Sequence, residues 1–117
     1  MSRVIVALTV AWLVAGALAG CQSSEVSREL GARCDKTADC DSRCLLPTTE
    51  YPGGFCTLAC NTASECPDAA TCADTDGGVC LFQCSGTSEC TFLGPGWTCK
   101  EADARGAQAK VMVCRGD

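Results

Sequence analysis

Hydrophobic residues dominate one uncharged run near the start of this 117-residue chain and are scattered in short groups after it. Residues 4–18 (VIVALTVAWLVAGAL) carry no charged side chain. From residue 34 on, apolar residues stand in small groups beside cysteines, between turns rich in Gly, Asp and Thr. The first pattern predicts a segment that meets a membrane, and the second predicts short strands joined by turns.

The initial run has the layout of a secretory signal. Arg3 supplies a positive start, and the small residues Ala19 and Gly20 precede Cys21. Leu18-Ala19-Gly20-Cys21 resembles, at all four positions, the lipobox of bacterial lipoprotein signals. The resemblance implies cleavage before Cys21, a diacylglycerol on its sulfur and an acyl chain on the new amine. The alternative is an uncleaved membrane-spanning helix, for which the run is short because a hydrocarbon core needs about 20 apolar residues.

The lipobox implies a protein anchored in the bacterial cell envelope. Two or more acyl chains give durable membrane attachment, whereas one chain gives only marginal attachment. Gln22 follows Cys21 where the enteric sorting rule would place Asp for retention at the inner membrane, so this rule points to the outer membrane. We therefore interpret residues 1–20 as the signal peptide and residues 21–33 as the lipidated cysteine with a tether holding at most a turn or two of helix.

Three cysteine-rich repeats follow, at residues 34–59, 60–83 and 84–117. Each opens with two cysteines separated by five residues, and an acidic residue directly precedes the second cysteine. Two further cysteines complete each set, and the segment between them predicts a β-hairpin. The clearest reversal is at residues 74–78 (DTDGG), where two glycines suit the positive φ angles of a tight turn.

The cysteine count predicts six disulfides. Of 13 cysteines, Cys21 is assigned to lipid, which leaves twelve, an even number that indicates an oxidising compartment. Spacing alone leaves the connectivity within each repeat open. The repeats resemble locally the cysteine-rich domains of Dickkopf proteins and colipase, where pairing runs first to third and second to fourth. Carried over, this resemblance implies the pairs Cys34–Cys44, Cys40–Cys56, Cys60–Cys72, Cys66–Cys80, Cys84–Cys99 and Cys90–Cys114.

The expected fold is small and disulfide-rich: a tandem array of three short β-hairpin units with little regular secondary structure and little hydrophobic core. Large apolar residues are few, while ordering each residue costs about 1–2 kcal/mol of entropy. We therefore predict that the fully reduced chain is unfolded. Tandem units of this kind also resemble the cysteine-rich lipoproteins of myxobacteria, a likeness that implies no particular activity.

Charge and chemistry exclude several classes of function. The 14 carboxylates outnumber the 9 Lys and Arg residues, and the lack of a basic patch argues against a nucleic-acid partner. The chain has no histidine and no Cys-x2-Cys pair, which removes the usual general base and the common zinc and thioredoxin-type motifs. The sequence thus predicts no enzyme activity, no metal and no cofactor other than the covalent lipid on Cys21.

A few residues are candidates for ligand binding. Residues 74–78 hint at a calcium loop, although a plain hairpin turn is the competing interpretation. Phe92 and Trp97 flank a Gly-Pro loop and form the main candidate binding surface, with Tyr51 in the first repeat as a second. Trp97 could instead cover the disulfides of the third repeat. The final Arg115-Gly116-Asp117 resembles an integrin-binding tripeptide, interpreted as a coincidence.

We therefore expect a non-enzymatic binding or adhesion module that presents loops of unequal length on a rigid rod to a protein or glycan ligand. One alternative is an inhibitor of a protease or other hydrolase, using residues 45–49 (LLPTT) as a substrate-like loop. The other is a structural component of a larger envelope complex. The membrane is a partner in each case, through the lipid anchor.

Overall fold

The computed structural model describes residues 26–116, which form three antiparallel hairpins and three short 3-10 helices. The predictions for the signal peptide, for Cys21 and for Asp117 lie outside the described residues. Within residues 26–116, no helix has the length and apolar character needed to cross a membrane.

Each repeat contributes one two-stranded sheet. The pairs are β1 (Arg43–Leu45) with β2 (Phe55–Thr57), β3 (Ala70–Ala73) with β4 (Val79–Phe82), and β5 (Thr98–Asp103) with β6 (Lys110–Arg115). In every sheet the third and fourth cysteines of the repeat stand opposite each other, as Cys44 and Cys56, Cys72 and Cys80, and Cys99 and Cys114. The predicted disulfide-rich array of three hairpins is confirmed.

A 3-10 helix precedes each hairpin, at Thr37–Asp39, Ala63–Glu65 and Thr87–Leu93. The start of this helix explains why an acidic residue directly precedes the second cysteine in the first two repeats. A carboxylate oxygen of Asp39 accepts the backbone N–H groups of Asp35 at 3.0 Å and Lys36 at 3.3 Å. Glu65 accepts those of Asn61 at 3.1 Å and Thr62 at 3.2 Å in the same way. These carboxylates satisfy donors that a helix start otherwise leaves unpaired.

Six disulfides link the twelve cysteines after residue 33. The bonds join the first cysteine of each repeat to the third and the second to the fourth, giving Cys34–Cys44, Cys40–Cys56, Cys60–Cys72, Cys66–Cys80, Cys84–Cys99 and Cys90–Cys114. These are the pairs that the Dickkopf and colipase resemblance implies. The two bonds of a repeat are also neighbours: in the first repeat, the sulfurs of Cys34, Cys40 and Cys44 all lie within 4.8 Å of one another.

The second glycine of each Gly-Gly pair allows a close backbone approach. Gly54 has a φ of 79°, and a side chain there would overlap the carbonyl oxygen of Cys34, the first cysteine of its repeat. Gly78 has a φ of 95°, and a side chain there would likewise overlap the carbonyl oxygen of Cys60. Only glycine meets both requirements without strain, so the two pairs mark equivalent points in equivalent hairpins.

The core is small, as the sequence predicts, but it is continuous through all three repeats. Phe55 of the first repeat meets Phe82 of the second edge-on, with ring centroids 6.0 Å apart, and meets Trp97 of the third at 5.3 Å. The same cluster contains ten large apolar side chains, namely Leu30, Leu45, Tyr51, Phe55, Val79, Leu81, Phe82, Leu93, Trp97 and Val113. These large apolar residues of the three repeats therefore pack into one common hydrophobic core.

The repeats contact each other in all three combinations, so the expected rigid rod is wrong. The Thr57 hydroxyl donates to the carbonyl oxygen of Cys80 at 2.6 Å, joining the first repeat to the second. Gln83 forms a bridge with Val113, joining the second to the third. The backbone N–H of Gly116 donates to the carbonyl oxygen of Glu50 at 2.7 Å, joining the third to the first. A rod would leave each unit with too little interior to bury its own aromatic rings.

Residues 26–33 are packed against the first hairpin, which corrects the prediction of a tether running to residue 33. Leu30 is buried in the core with 3% of its surface exposed. The Gly31 N–H donates to the carbonyl oxygen of Cys56 at 2.8 Å, and the Cys56 N–H donates to that of Ala32 at 2.8 Å. The segment therefore pairs with the backbone of β2, and burial of Leu30 stabilises it there.

Candidate functional site

Two of the three aromatic residues predicted to bind a ligand are core residues. Trp97 and Tyr51 are each only 4% exposed, so both are mainly packed inside the protein. The ring and hydrogen-bond partners of Trp97 belong to the first repeat: Tyr51, Phe55 and the carbonyl oxygen of Pro52. Phe92 differs, because 44% of its surface is exposed while its ring packs against Phe82.

Tyr51 fixes the long loop of the first repeat to the turn of the second. Its hydroxyl donates to the carboxylate of Asp76, and the Arg43 guanidinium donates to the carbonyl oxygen of Asp76 at 2.8 Å. Burial raises the pKa of Tyr51, and the hydrogen bond to Asp76 raises it further. The phenol therefore acts as a neutral donor that locks two repeats together.

The turn at residues 74–78 directs its carboxylates to different protein partners. Asp74 pairs with the Arg105 guanidinium at 3.4 Å, whereas Asp76 accepts from Tyr51. Over the described part of the chain, metal-ligand side chains converge only in three cysteine triads, Cys34 with Cys40 and Cys44, Cys60 with Cys66 and Cys72, and Cys84 with Cys90 and Cys114. All of these sulfurs are in disulfides and are therefore not free thiolates, the form in which cysteine binds a metal. The turn is best explained as an inter-repeat contact.

The first-repeat loop presents the most exposed large apolar side chain of the described residues. Leu46 is 58% exposed, while its neighbour Leu45 is buried in the core. We call residues 46–53 the Leu46 loop. The Tyr51 N–H donates to the Thr48 hydroxyl at 3.2 Å, and the Thr48 N–H donates back to the carbonyl oxygen of Tyr51 at 3.3 Å. Disulfides at Cys44 and Cys56 brace the two strands that lead into this loop.

Residues of the Leu46 loop line two clefts. The larger has a volume of about 520 Å³ and is lined by Pro47, Thr48, Thr49, Pro52, Gly53 and Gly96. The smaller, of about 350 Å³, is lined by Arg43, Cys44, Leu45, Leu46, Thr48, Glu50, Tyr51 and Asp76. Both are within the size range of small ligand sites. Thr48 is common to both linings, so the loop borders both clefts.

The sequence identified Leu46 only within the substrate-like stretch of residues 45–49 and did not indicate the clefts. The larger cleft exists because Gly96 of the third repeat closes against Pro52 of the first, with a φ of 90° at the glycine. Such a contact between distant residues has no local signature, although the Gly-Pro-Gly run does mark an unusual turn.

The predicted tripeptide at the end of the chain is partly engaged in the fold. The Arg115 guanidinium pairs with the Glu50 carboxylate, and the Gly116 N–H donates to the carbonyl oxygen of the same residue. Arg115 is therefore a structural cation that holds the third repeat on the Leu46 loop.

The Leu46 loop presents two clefts and one exposed apolar side chain to a partner. It does not present a set of reactive groups. The lining of the larger cleft has no ionisable side chain. Comparisons with protein-family models, curated proteins and solved structures find no match to this chain. The candidate site is therefore defined by its own geometry.

Proposed function

We propose that this protein is a lipid-anchored, non-enzymatic binding module of the bacterial cell envelope, and that a protein partner docks on the Leu46 loop. The observation that carries the proposal is the exposure of Leu46 on a loop braced at both ends by disulfides. A loop held in one conformation loses little entropy on binding, which favours affinity. The recesses beside it can receive side chains of a partner.

The anchor is supported by the lipobox resemblance at Leu18-Ala19-Gly20-Cys21 and by the state of the other cysteines. Six disulfides persist only in an oxidising compartment, which for a bacterial protein means the periplasm or the cell surface. A chain exported with a lipobox would reach such a compartment attached to a membrane. Gln22 supports the outer membrane as the site of attachment.

The chemistry of the larger cleft favours a protein partner over a glycan. A glycan brings many hydroxyl groups, and each costs free energy when it is buried without a hydrogen-bond partner. The side chains lining this cleft offer only the hydroxyls of Thr48 and Thr49, and that of Thr48 already accepts from Tyr51. Prolines, glycines and threonine methyl groups suit an apolar side chain of a protein.

Site-specific photo-cross-linking in intact cells tests this proposal. A photoreactive residue at Leu46 is expected to capture one dominant envelope protein. The matched control is the same residue at Met112, which is also exposed but lines a different cleft, with Gln83 and Cys84. Equal adducts from both positions, or none from Leu46, would contradict the proposal. A partner captured equally from both positions would instead fit a structural component of a larger complex.

A second candidate is a hydrolase inhibitor, favoured by the same exposed residue. Leu46 stands two residues after a disulfide-bonded cysteine, so a protease could contact it on a loop that resists rearrangement. Assays of the purified oxidised protein against a panel of envelope and secreted proteases distinguish this candidate. Inhibition that is abolished by Leu46→Asp would support it, and no inhibition at micromolar protein would remove it.

A further inference from the structure

A second exposed apolar patch lies where the described chain begins. Phe92 packs edge-on against Phe82, with ring centroids 5.2 Å apart, and 44% of its surface remains exposed. The Phe82 ring lies against Gly31, with its Cε2 only 2.8 Å from where a side chain of that glycine would start. The Cα of Val26 lies 3.4 Å from the same point. Phe92 packs on the Phe82 ring, and Gly31, which the Val26 backbone approaches, lies against the same ring.

An arginine borders the same patch. The Arg33 guanidinium occupies the space that a side chain on Gly94 would need, two residues after Phe92. Within residues 26–116, no carboxylate lies within ion-pair distance of Arg33. We call Val26, Arg33 and Phe92 the N-terminal patch. An exposed aromatic ring and a guanidinium with no carboxylate partner among the described residues suit a lipid interface, where rings enter the acyl boundary and guanidinium groups pair with phosphate.

The length of chain before Val26 limits how far this patch can be from the proposed anchor. Val26 is five residues after Cys21. A fully extended chain spans at most about 3.3–3.6 Å per residue, so Val26 lies within about 18 Å of the lipidated residue. Because residues 26–33 are packed on the first hairpin, they do not lengthen the connection between the anchor and the packed part of the molecule. The packed part of the molecule must therefore begin close to the headgroups.

We propose that the N-terminal patch rests on the membrane and that Phe92 enters the lipid interface beside the anchor. This inference rests on the proposed function, because it takes the acylation of Cys21 as given. The occupant of the patch is a phospholipid surface, with Arg33 on a headgroup phosphate. The acidic balance of the chain argues against attraction to an anionic surface as a whole, so a zwitterionic bilayer is the matching surface. The third repeat then helps fix the orientation of the module, with its anchor and Phe92 as two points of contact.

Tryptophan quenching by brominated lipid tests this orientation. The full-length mature protein, acylated in cells, is reconstituted into phosphatidylcholine vesicles with brominated acyl chains. Phe92→Trp places a reporter in the patch, and Leu46→Trp places one on the Leu46 loop as a matched control. Wild-type protein supplies the baseline, since Trp97 is buried. Intact mass confirms six disulfides and the lipid on Cys21 in each variant, and flotation confirms attachment.

The expected result is that the reporter at position 92 loses most of its fluorescence while the reporter at position 46 stays at the baseline. If floating, acylated protein shows no quenching at position 92, or equal quenching at both positions, the inference is overturned while the anchor stands. A lack of quenching at position 92 would instead leave the patch as a surface for a protein partner. If Cys21 is unacylated and the protein does not float, the anchor fails and this inference fails with it.

Discussion

The indole N–H of Trp97 in the third repeat donates to the carbonyl oxygen of Pro52 in the first repeat at 3.0 Å. The two residues are 45 positions apart, and the bond is made from a side chain that is almost fully buried. The first and last repeats are therefore direct neighbours, and the Leu46 loop that includes Pro52 is held in place by the far end of the chain.

Replacing Trp97 tests how much this contact stabilises the fold. We expect Trp97→Ala to lower the free energy of unfolding by about 3–5 kcal/mol, the usual cost of removing a large buried aromatic side chain. Trp97→Phe keeps most of the apolar volume and loses the bond to Pro52, so its effect should be smaller. Denaturant unfolding of the oxidised proteins measures both. Equal, small effects would mean that the repeats are stable separately.

Tyr51→Phe should destabilise the protein by about 1–2 kcal/mol, because Asp76 loses a hydrogen-bond donor in a partly buried site. The raised pKa of Tyr51 means that the fold favours the protonated phenol. Its contribution is complete below the ordinary tyrosine pKa of about 10 and is lost as the pH rises toward the raised value. Denaturant midpoints of wild type and Tyr51→Phe should therefore converge at alkaline pH. A constant difference across this range would contradict the role of the hydroxyl.

Asp39→Asn should lower the thermal midpoint at neutral pH, because the carboxylate accepts two backbone N–H groups at a helix start. The backbone N–H of Asp35 is the main cause that lowers the pKa of Asp39. The contribution is therefore present above the ordinary Asp pKa of about 3.9 and is lost as the pH falls toward the lowered value. The matched control is Asp35→Asn, which keeps the backbone donor. Equal midpoints for the two variants at neutral pH would argue against a stabilising role of the Asp39 carboxylate at the helix start.

Gly54→Ala and Gly77→Ala form a matched pair, because both glycines have positive φ, at 79° and 84°. A side chain at position 77 meets no atom within 4 Å. The free energy of unfolding of that variant should therefore fall only by about 1–2 kcal/mol, the cost of a left-handed backbone conformation at a residue with a side chain. Gly54→Ala adds an overlap with the carbonyl oxygen of Cys34 and should lose considerably more, with free thiols appearing in the first repeat. Denaturant unfolding and thiol titration measure the two effects. Similar losses would mean that the approach at Cys34 relaxes easily.

The hairpins and their disulfide-rich character could be predicted because their signals are local. Cysteine spacing recurs three times, and the Asp-Gly-Gly turn before Cys80 predicts a reversal from adjacent residues alone. The recurring acidic residue was visible too, but its bonds to Asp35 and Asn61 depend on a helix start that only the structure shows.

The contacts between repeats could not be predicted, since they join residues with no pattern in common. Leu30 is the only large apolar residue between Val26 and Cys34, and its burial depends on the surface that the first hairpin presents. From the sequence, Trp97 after its Gly-Pro-Gly run could be either an exposed binding residue or a cover for the disulfides of the third repeat. The structure buries it, because the turn folds back onto Pro52. Long-range packing outweighed the local pattern at both positions.

The closure of the third repeat on the first fixes the number of units in the array. In open solenoids each unit touches only its neighbours, so duplication of a unit lengthens the stack at little cost. Here a unit inserted after residue 83 would separate Trp97 from Pro52 and Gly116 from Glu50. Gene duplication could therefore copy the complete three-repeat unit. A fourth repeat could not be added within it without breaking the contacts between the first and third repeats.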